Sequence, residues 1–144
     1  MKTIFPSEML NSSQEAMSIE SVATKMLYFI EQVHLIHWQA MTHHEHIITG
    51  TFYEFLEDVR DGLIEKLMGY QGRRIGMYKV EQFTPCTAEM VVNEVMSFAD
   101  SLKRYADNNG YHDVAATADT ISGECAKTLY LLSFKHGGAK KGLS

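Results

Sequence analysis

The stretch "ITGTFYEFLEDVRDGLIEKLMGYQG", residues 48–72, carries two patterns at once. Ile48, Phe52, Phe55, Leu56, Val59, Leu63 and Leu67 recur every three or four positions, the spacing of one face of a helix. At about 100° per residue, Glu54, Glu57, Asp58, Asp61 and Glu65 fall on the other side, turned away from the chain's own core. The pairs 54/58, 57/61 and 61/65 set like charges one turn apart, each costing roughly 0.2–0.5 kcal/mol in an isolated helix. Arg60 and Lys66 relieve this only in part. A solvated surface explains any one of these acids, whereas the stacked set suits a cation or a cationic partner.

Three more stripes of the same period flank this one. Val22, Met26, Phe29, Ile30, Val33, His37 and Ala40 make a helix before it, with Ser12 and Glu15 as a capping box. Val91, Val95, Phe98, Ala99, Leu102 and Ala106 make a third, with Thr84, Pro85 and Thr87 offering a cap and a first-turn proline and "DNNG" a left-handed stop. Val114, Ala118, Ile121, Cys125, Leu129 and Leu132 make a fourth, capped by Asp113 and closed at "KHGG". No segment alternates like a strand. The expected fold is all-α, a four-helix bundle with a long crossover between helices two and three. That connector, of about fifteen residues, is long enough to carry a short helical turn of its own.

The chain has 144 residues, 45% of them hydrophobic and 22% charged, which fits one domain with enough apolar mass for a core. It divides into an N-terminal segment 1–12, the bundle 13–135 and a flexible C-terminal tail 136–144. No run is apolar for the ~18 residues a membrane span needs, and the first thirty residues lack the apolar stretch of a secretion signal, so a cytoplasmic location is expected. Cys86 and Cys125 read as reduced thiols in or near the core. A net charge of −5 disfavours DNA as a partner, since duplex binding neutralises phosphates with many cations, and Lys140 and Lys141 are too few to reverse it.

Five of the seven histidines crowd into residues 34–50 beside Trp38. Leu27, Glu31, His34 and Trp38 form a second line beside the core stripe of the first helix. An indole on such a flank suits a subunit interface, where aromatic residues are enriched. His34 points toward that contact and His37 toward the core. His46 opens the second helix; His43 and His44 belong to the turn before it, as solvated residues. Asp61 and Glu65, one turn apart, can offer two oxygens to one ion, but roughly 22 Å separates His46 from Asp61 along a straight helix. One chain cannot close such a site. Two copies packing helix two against helix two antiparallel, across a two-fold axis, can.

His34, His46, Asp61 and Glu65 in this spacing, the His37–Trp38 pair, "FYE", "YQG", and a last helix "DVAATADTISGECAKTLYLL" resemble the Dps proteins, or miniferritins, over most of residues 20–135. The chain looks closest to the divergent Dps-like proteins carried by some bacteriophages. The resemblance implies a ferritin-like bundle, a homo-oligomer assembled as a hollow dodecamer from two-fold dimers, and a ferroxidase-type oxidoreductase. Such a protein oxidises Fe(II), with peroxide or O2 as oxidant, and stores the ferric product, protecting against oxidative damage in a bacterial cytoplasm or a phage-infected cell. Carried over residue by residue, His34 and His46 come from one chain, Asp61 and Glu65 from its mate, and Trp38 is a nearby electron donor. A register that aligns the His–Trp pair makes His37 the ligand in place of His34; the predicted direction of the rings favours His34. Asp58 is either a direct ligand or, like Glu54, supporting charge. The mixed nitrogen and oxygen set suits Fe(II), with Mn(II) or Zn(II) as other occupants.

One position departs from the family. An aspartate usual four residues after the second histidine is Gly50 here, which favours a single-metal site or a rival reading, a non-catalytic Dps-like shell serving as a structural or interaction protein.

Overall fold

The computed structural model describes residues 17–134. Four helices make up this part, α1 (Ile19–Gln39), α2 (His43–Gln71), α3 (Ala88–Asn109) and α4 (His112–Leu132), and no strand forms among the described residues. The all-helical class and the four stripes are as the periodicity predicts. The capping box assigned to Ser12 and Glu15 lies outside the described residues, as do residues 1–12 and 136–144. Within them Ser18 caps α1. Its hydroxyl accepts from the Ser21 amide at 3.1 Å, while the Ser21 hydroxyl accepts from the Ser18 amide at 2.8 Å.

Local chemistry moves three of the expected boundaries. The Thr42 hydroxyl accepts from the Glu45 amide at 3.1 Å, so α2 begins at His43 rather than His46, and His43 and His44 are helical rather than part of a turn. Thr87 caps α3 by accepting from Met90, which leaves Pro85 in the connector and outside the first turn. Asp113 does not cap α4, which starts one residue earlier, after Tyr111, with no side-chain cap. Instead the Asp113 amide donates to the Tyr70 hydroxyl at 3.1 Å, so a residue at the end of α2 satisfies one of the amides orphaned at the start of α4. Gly72 and Gly110 end α2 and α3 at φ 65° and 74°, the left-handed region that glycine enters without steric cost.

Hydrogen bonds between elements give the helix directions. Gln71 donates to the Tyr105 hydroxyl and Lys66 to the Thr117 hydroxyl, placing the end of α2 beside the end of α3 and the start of α4. At the other end, His44 meets the Leu131 carbonyl. Hence α1 and α2 are antiparallel, α3 and α4 are antiparallel, and α2 and α3 run the same way. The connector has no helical turn of its own among residues 74–87, because α1 supplies partners for its groups instead. In ascending order, Arg73 and Gly76 bind Glu20, Lys79 binds Thr24, Glu81 binds Lys25, and the Thr84 amide binds the Gln32 side chain. Gln32 is buried, and this bond partly offsets the cost of taking its amide out of water.

Val22, Met26, Phe29 and Ile30 of α1 pack with Phe52, Leu56, Leu63 and Leu67 of α2, Val91, Val95 and Leu102 of α3, and Ile121, Cys125 and Leu132 of α4. Each large side chain so buried contributes roughly 1.5–3 kcal/mol. Phe55 and Val59 are only half-buried at the edge of this core. A groove of about 550 Å³ separates α1 from α3, floored by Phe29 and Phe98 and edged by Ser21, Lys25, Glu94 and Ser97. No helix among the described residues is long and apolar enough to cross a membrane.

Replacing Tyr70 by Phe is expected to cost about 1 kcal/mol of unfolding free energy in urea, as loss of a helix cap does. A second prediction concerns Glu20. Arg73 donates to both its oxygens at 2.8 and 2.9 Å and Gly76 at 2.7 Å, holding its carboxyl down to about 2 from 4.5. A depressed carboxylate stabilises above its unfolded value and stops doing so as pH falls through the folded one. Protection of the Gly76 amide from hydrogen exchange is therefore expected to be full above about pH 4.5 and to fall toward pH 2, and Glu20→Gln to show the low-pH behaviour throughout.

Candidate functional site

The end of α1 and the start of α2 face each other across Ala40–Thr42, and their aromatic residues meet there. The His37 and His46 rings stack with centroids 3.8 Å apart and planes 20° apart. Each also reaches the other's main chain: His37 Nδ1 lies 2.7 Å from the His46 carbonyl oxygen, and His46 Nδ1 lies 3.1 Å from the His37 carbonyl oxygen. A carbonyl only accepts, so both Nδ1 atoms carry the proton. A ring in its neutral form then has its lone pair on Nε2, and fixing one ring nitrogen on a carbonyl is how a protein prepares the other for a metal ion. The His37 carbonyl lies in the last turn of α1 and also accepts from the Ala40 amide at 3.4 Å, so the His46 ring takes its second lone pair.

His34 has a different place. Its ring lies between Trp38, at 4.0 Å, and Tyr53, at 4.2 Å and 20°, and is 6.0 Å from His37. Tyr53 in turn meets His37 edge-on at 5.3 Å. Of the two histidines read as alternative partners for His46, the structure brings His37 against it. Both are half-buried, so α1 does not divide them into a core-facing and an interface-facing ring. Trp38 is 67% exposed, while Leu27 on the same line is half-buried. Met41 and Ile47, in the turn after α1 and the first turns of α2, are exposed apolar residues as well.

Gly50 stands one turn after His46. A Cβ there would lie 2.9 Å from His37 Cε1 and 3.2 Å from its Nδ1. The space a side chain at position 50 would fill thus holds the His37 imidazole.

Glu54, Glu57, Asp58, Asp61 and Glu65 are exposed along α2, and among the described residues none of them forms an ion pair. Lys66 turns instead to the Thr117 hydroxyl at 3.1 Å. Among the described residues, no three side chains of His, Cys, Asp or Glu converge on one point. A single chain therefore presents paired imidazoles at one end of α2 and Asp61 with Glu65 near the other. His43 is exposed; His44 is half-buried and donates from Nε2 to the Leu131 carbonyl at 2.9 Å, tying α4 to α2. That role is structural and was not evident from its position in the chain.

Tyr53 and Thr49 were also passed over as site residues. Thr49 is buried, and its hydroxyl lies 3.3 Å from His37 Nδ1 and donates to the Glu45 carbonyl. The signal for Tyr53 was present, because residues 46, 50 and 53 follow the i, i+4, i+7 spacing of one helix face.

The chain belongs to DUF5856, a family of unknown function whose model matches residues 37–132. The matched span includes His37, His46, Gly50, Tyr53, Asp61 and Glu65, and begins after His34. No curated protein and no solved structure matches the chain.

Nitrogen-15 NMR at neutral pH is expected to show His37 and His46 both as the Nδ1–H tautomer, with downfield, slowly exchanging imidazole protons. An Nε2–H form of either ring would contradict the reciprocal arrangement.

Proposed function

We propose that the chain is an iron-handling protein of the Dps-like miniferritin kind, binding and oxidising Fe(II) at sites shared by two copies. The observation that carries this reading is the His37–His46 pair, whose Nδ1 protons are fixed on main-chain carbonyls and whose Nε2 lone pairs remain for a metal ion. Supporting it, α2 and α3 run the same way and the connector pairs in ascending order with α1, which fits the long crossover of a ferritin-like bundle.

Assembly completes the donor set. When two copies lay α2 against α2 antiparallel, the imidazole end of one meets the Asp61 and Glu65 end of the other, as an isologous contact allows. The exposed Trp38, Met41 and Ile47 gain cover at the same contact, and a bound cation relieves the repulsion along the acidic face. Closed assemblies such as a dodecamer are built from such dimers. His37 and His46 of one chain and Asp61 and Glu65 of its mate are the ligands, with Asp58 adding charge and His34 packing between Trp38 and Tyr53. Two imidazoles and two carboxylates suit Fe(II), and Mn(II) or Zn(II) compete for them.

Fe(II) is the substrate. Two ferrous ions give one electron each to hydrogen peroxide, which takes up two protons and leaves as two waters. In this reading Trp38, whose ring lies 4.0 Å from that of His34 at a tilt of 37°, lends an electron when only one ferrous ion is present. Ferric product is then stored inside the shell. The second reading, a non-catalytic shell or interaction protein, is favoured by Gly50, which removes one carboxylate from the set.

Anaerobic Fe(II) loading followed by peroxide, with ferric absorbance recorded for the wild type, His46→Ala and Asp61→Ala/Glu65→Ala, separates the two. The iron-oxidising reading expects each variant to slow oxidation roughly tenfold or more while keeping its helical circular dichroism. Equal rates in all three would leave the shell reading. A monomer on size exclusion would remove the shared site.

A further inference from the structure

Gly50 lies inside α2, where glycine is the least favoured residue after proline. Gly62 and Gly69 of the same helix have nothing within 4 Å of an added Cβ, so both are bare positions. Gly50 is different. Its added Cβ would come 2.9 Å from His37 Cε1, 3.2 Å from Nδ1 and 3.8 Å from Nε2, the first closer than Cβ contacts allow. The ring has little freedom to yield in place, since its Nδ1 is tied to the His46 carbonyl, one face meets the His46 ring and Tyr53 meets it edge-on. A side chain at position 50 therefore has to push the imidazole out of this arrangement.

We infer that Gly50 is a positioning residue: the side chain it lacks is the space in which the His37 ring sits against His46. Its functional consequence rests on the metal-binding reading above and deepens it. Position 50 contributes no ligand of its own, and the absence of one lets α1 supply a second nitrogen beside the nitrogen from α2. Each chain then offers two imidazoles at this end and no ligand from position 50, nitrogen donors suited to borderline divalent ions such as Zn(II) and Fe(II), with the stacked rings holding their lone pairs in neighbouring planes.

The test compares Gly50→Ala with Gly62→Ala in the full chain, each also in a His37→Ala background. Gly62→Ala is expected to raise the thermal midpoint by roughly 2–4 °C, as replacing an uncrowded glycine inside a helix does, and to leave the His37 Nδ1–H signal and zinc affinity unchanged. Gly50→Ala is expected to give no such rise, to lose the His37 Nδ1–H signal, and to weaken zinc binding at least about tenfold. In the His37→Ala background, with the ring gone, Gly50→Ala is expected to stabilise as Gly62→Ala does, since the coupling between the two positions is steric. Stabilisation by Gly50→Ala in the wild-type background with the His37 signal intact would overturn the inference. If the wild type takes up no zinc, the metal reading fails, while the tautomer signal and the thermal cycle still decide the role of Gly50.

Discussion

The exchange of protons and carbonyls between His37 and His46 governs the corner on which the proposed chemistry depends. A carbonyl that already accepts from the main chain keeps a second lone pair, and a neighbouring imidazole is a directional donor that can use it. Here the arrangement is mutual, and it works with the Thr42 cap to hold α1 and α2 antiparallel across a turn of only three residues. Two bonds of this kind contribute on the order of 1–3 kcal/mol in total, a sizeable share of the 5–15 kcal/mol by which domains are stable. Their greater effect is on direction, because they settle which nitrogen of each ring remains basic.

Much of the bundle was legible in the sequence because the apolar period is long and uninterrupted. Phe52, Leu56, Leu63 and Leu67 are all buried, as the stripe requires, and the acids opposite them are all exposed. Gly72 and Gly110 stop their helices where left-handed glycines are expected to. Boundaries set by distant residues were less legible. Nothing near Asp113 reveals that its amide is met by a tyrosine 43 positions away, so its own side chain was read as the cap. The connector shows the same limit: Glu20, Thr24 and Gln32 replace the internal hydrogen bonds of a helical turn, and they belong to a different element.

The site divides along the same line. Local spacing marked the histidine cluster and the Asp61–Glu65 pair, since both are periodic features of one segment. Which of His34 and His37 lies against His46 turns on packing between α1 and α2, and specifically on the gap at Gly50, which direction along α1 alone does not reveal. Gly50 read in isolation is a missing acid; beside His37 it is a vacancy of the right size for a ring. The acidic face of α2 remains a set of like charges without ion-pair partners among the described residues, electrostatically unfinished as a single chain.

At the far side of the core, burial pushes the Cys125 thiol up to about 12, with the neighbouring charge of Glu124 adding to the effect. Sulfur reacts with oxidants as the thiolate, and at neutral pH only roughly one such group in 10⁵ is ionised. Cys86 sits nearer the surface, yet burial and Glu94 raise its thiol as well. Both sulfhydryls are thereby kept chemically quiet, and an oxidant meeting this polypeptide has to find softer electrons elsewhere.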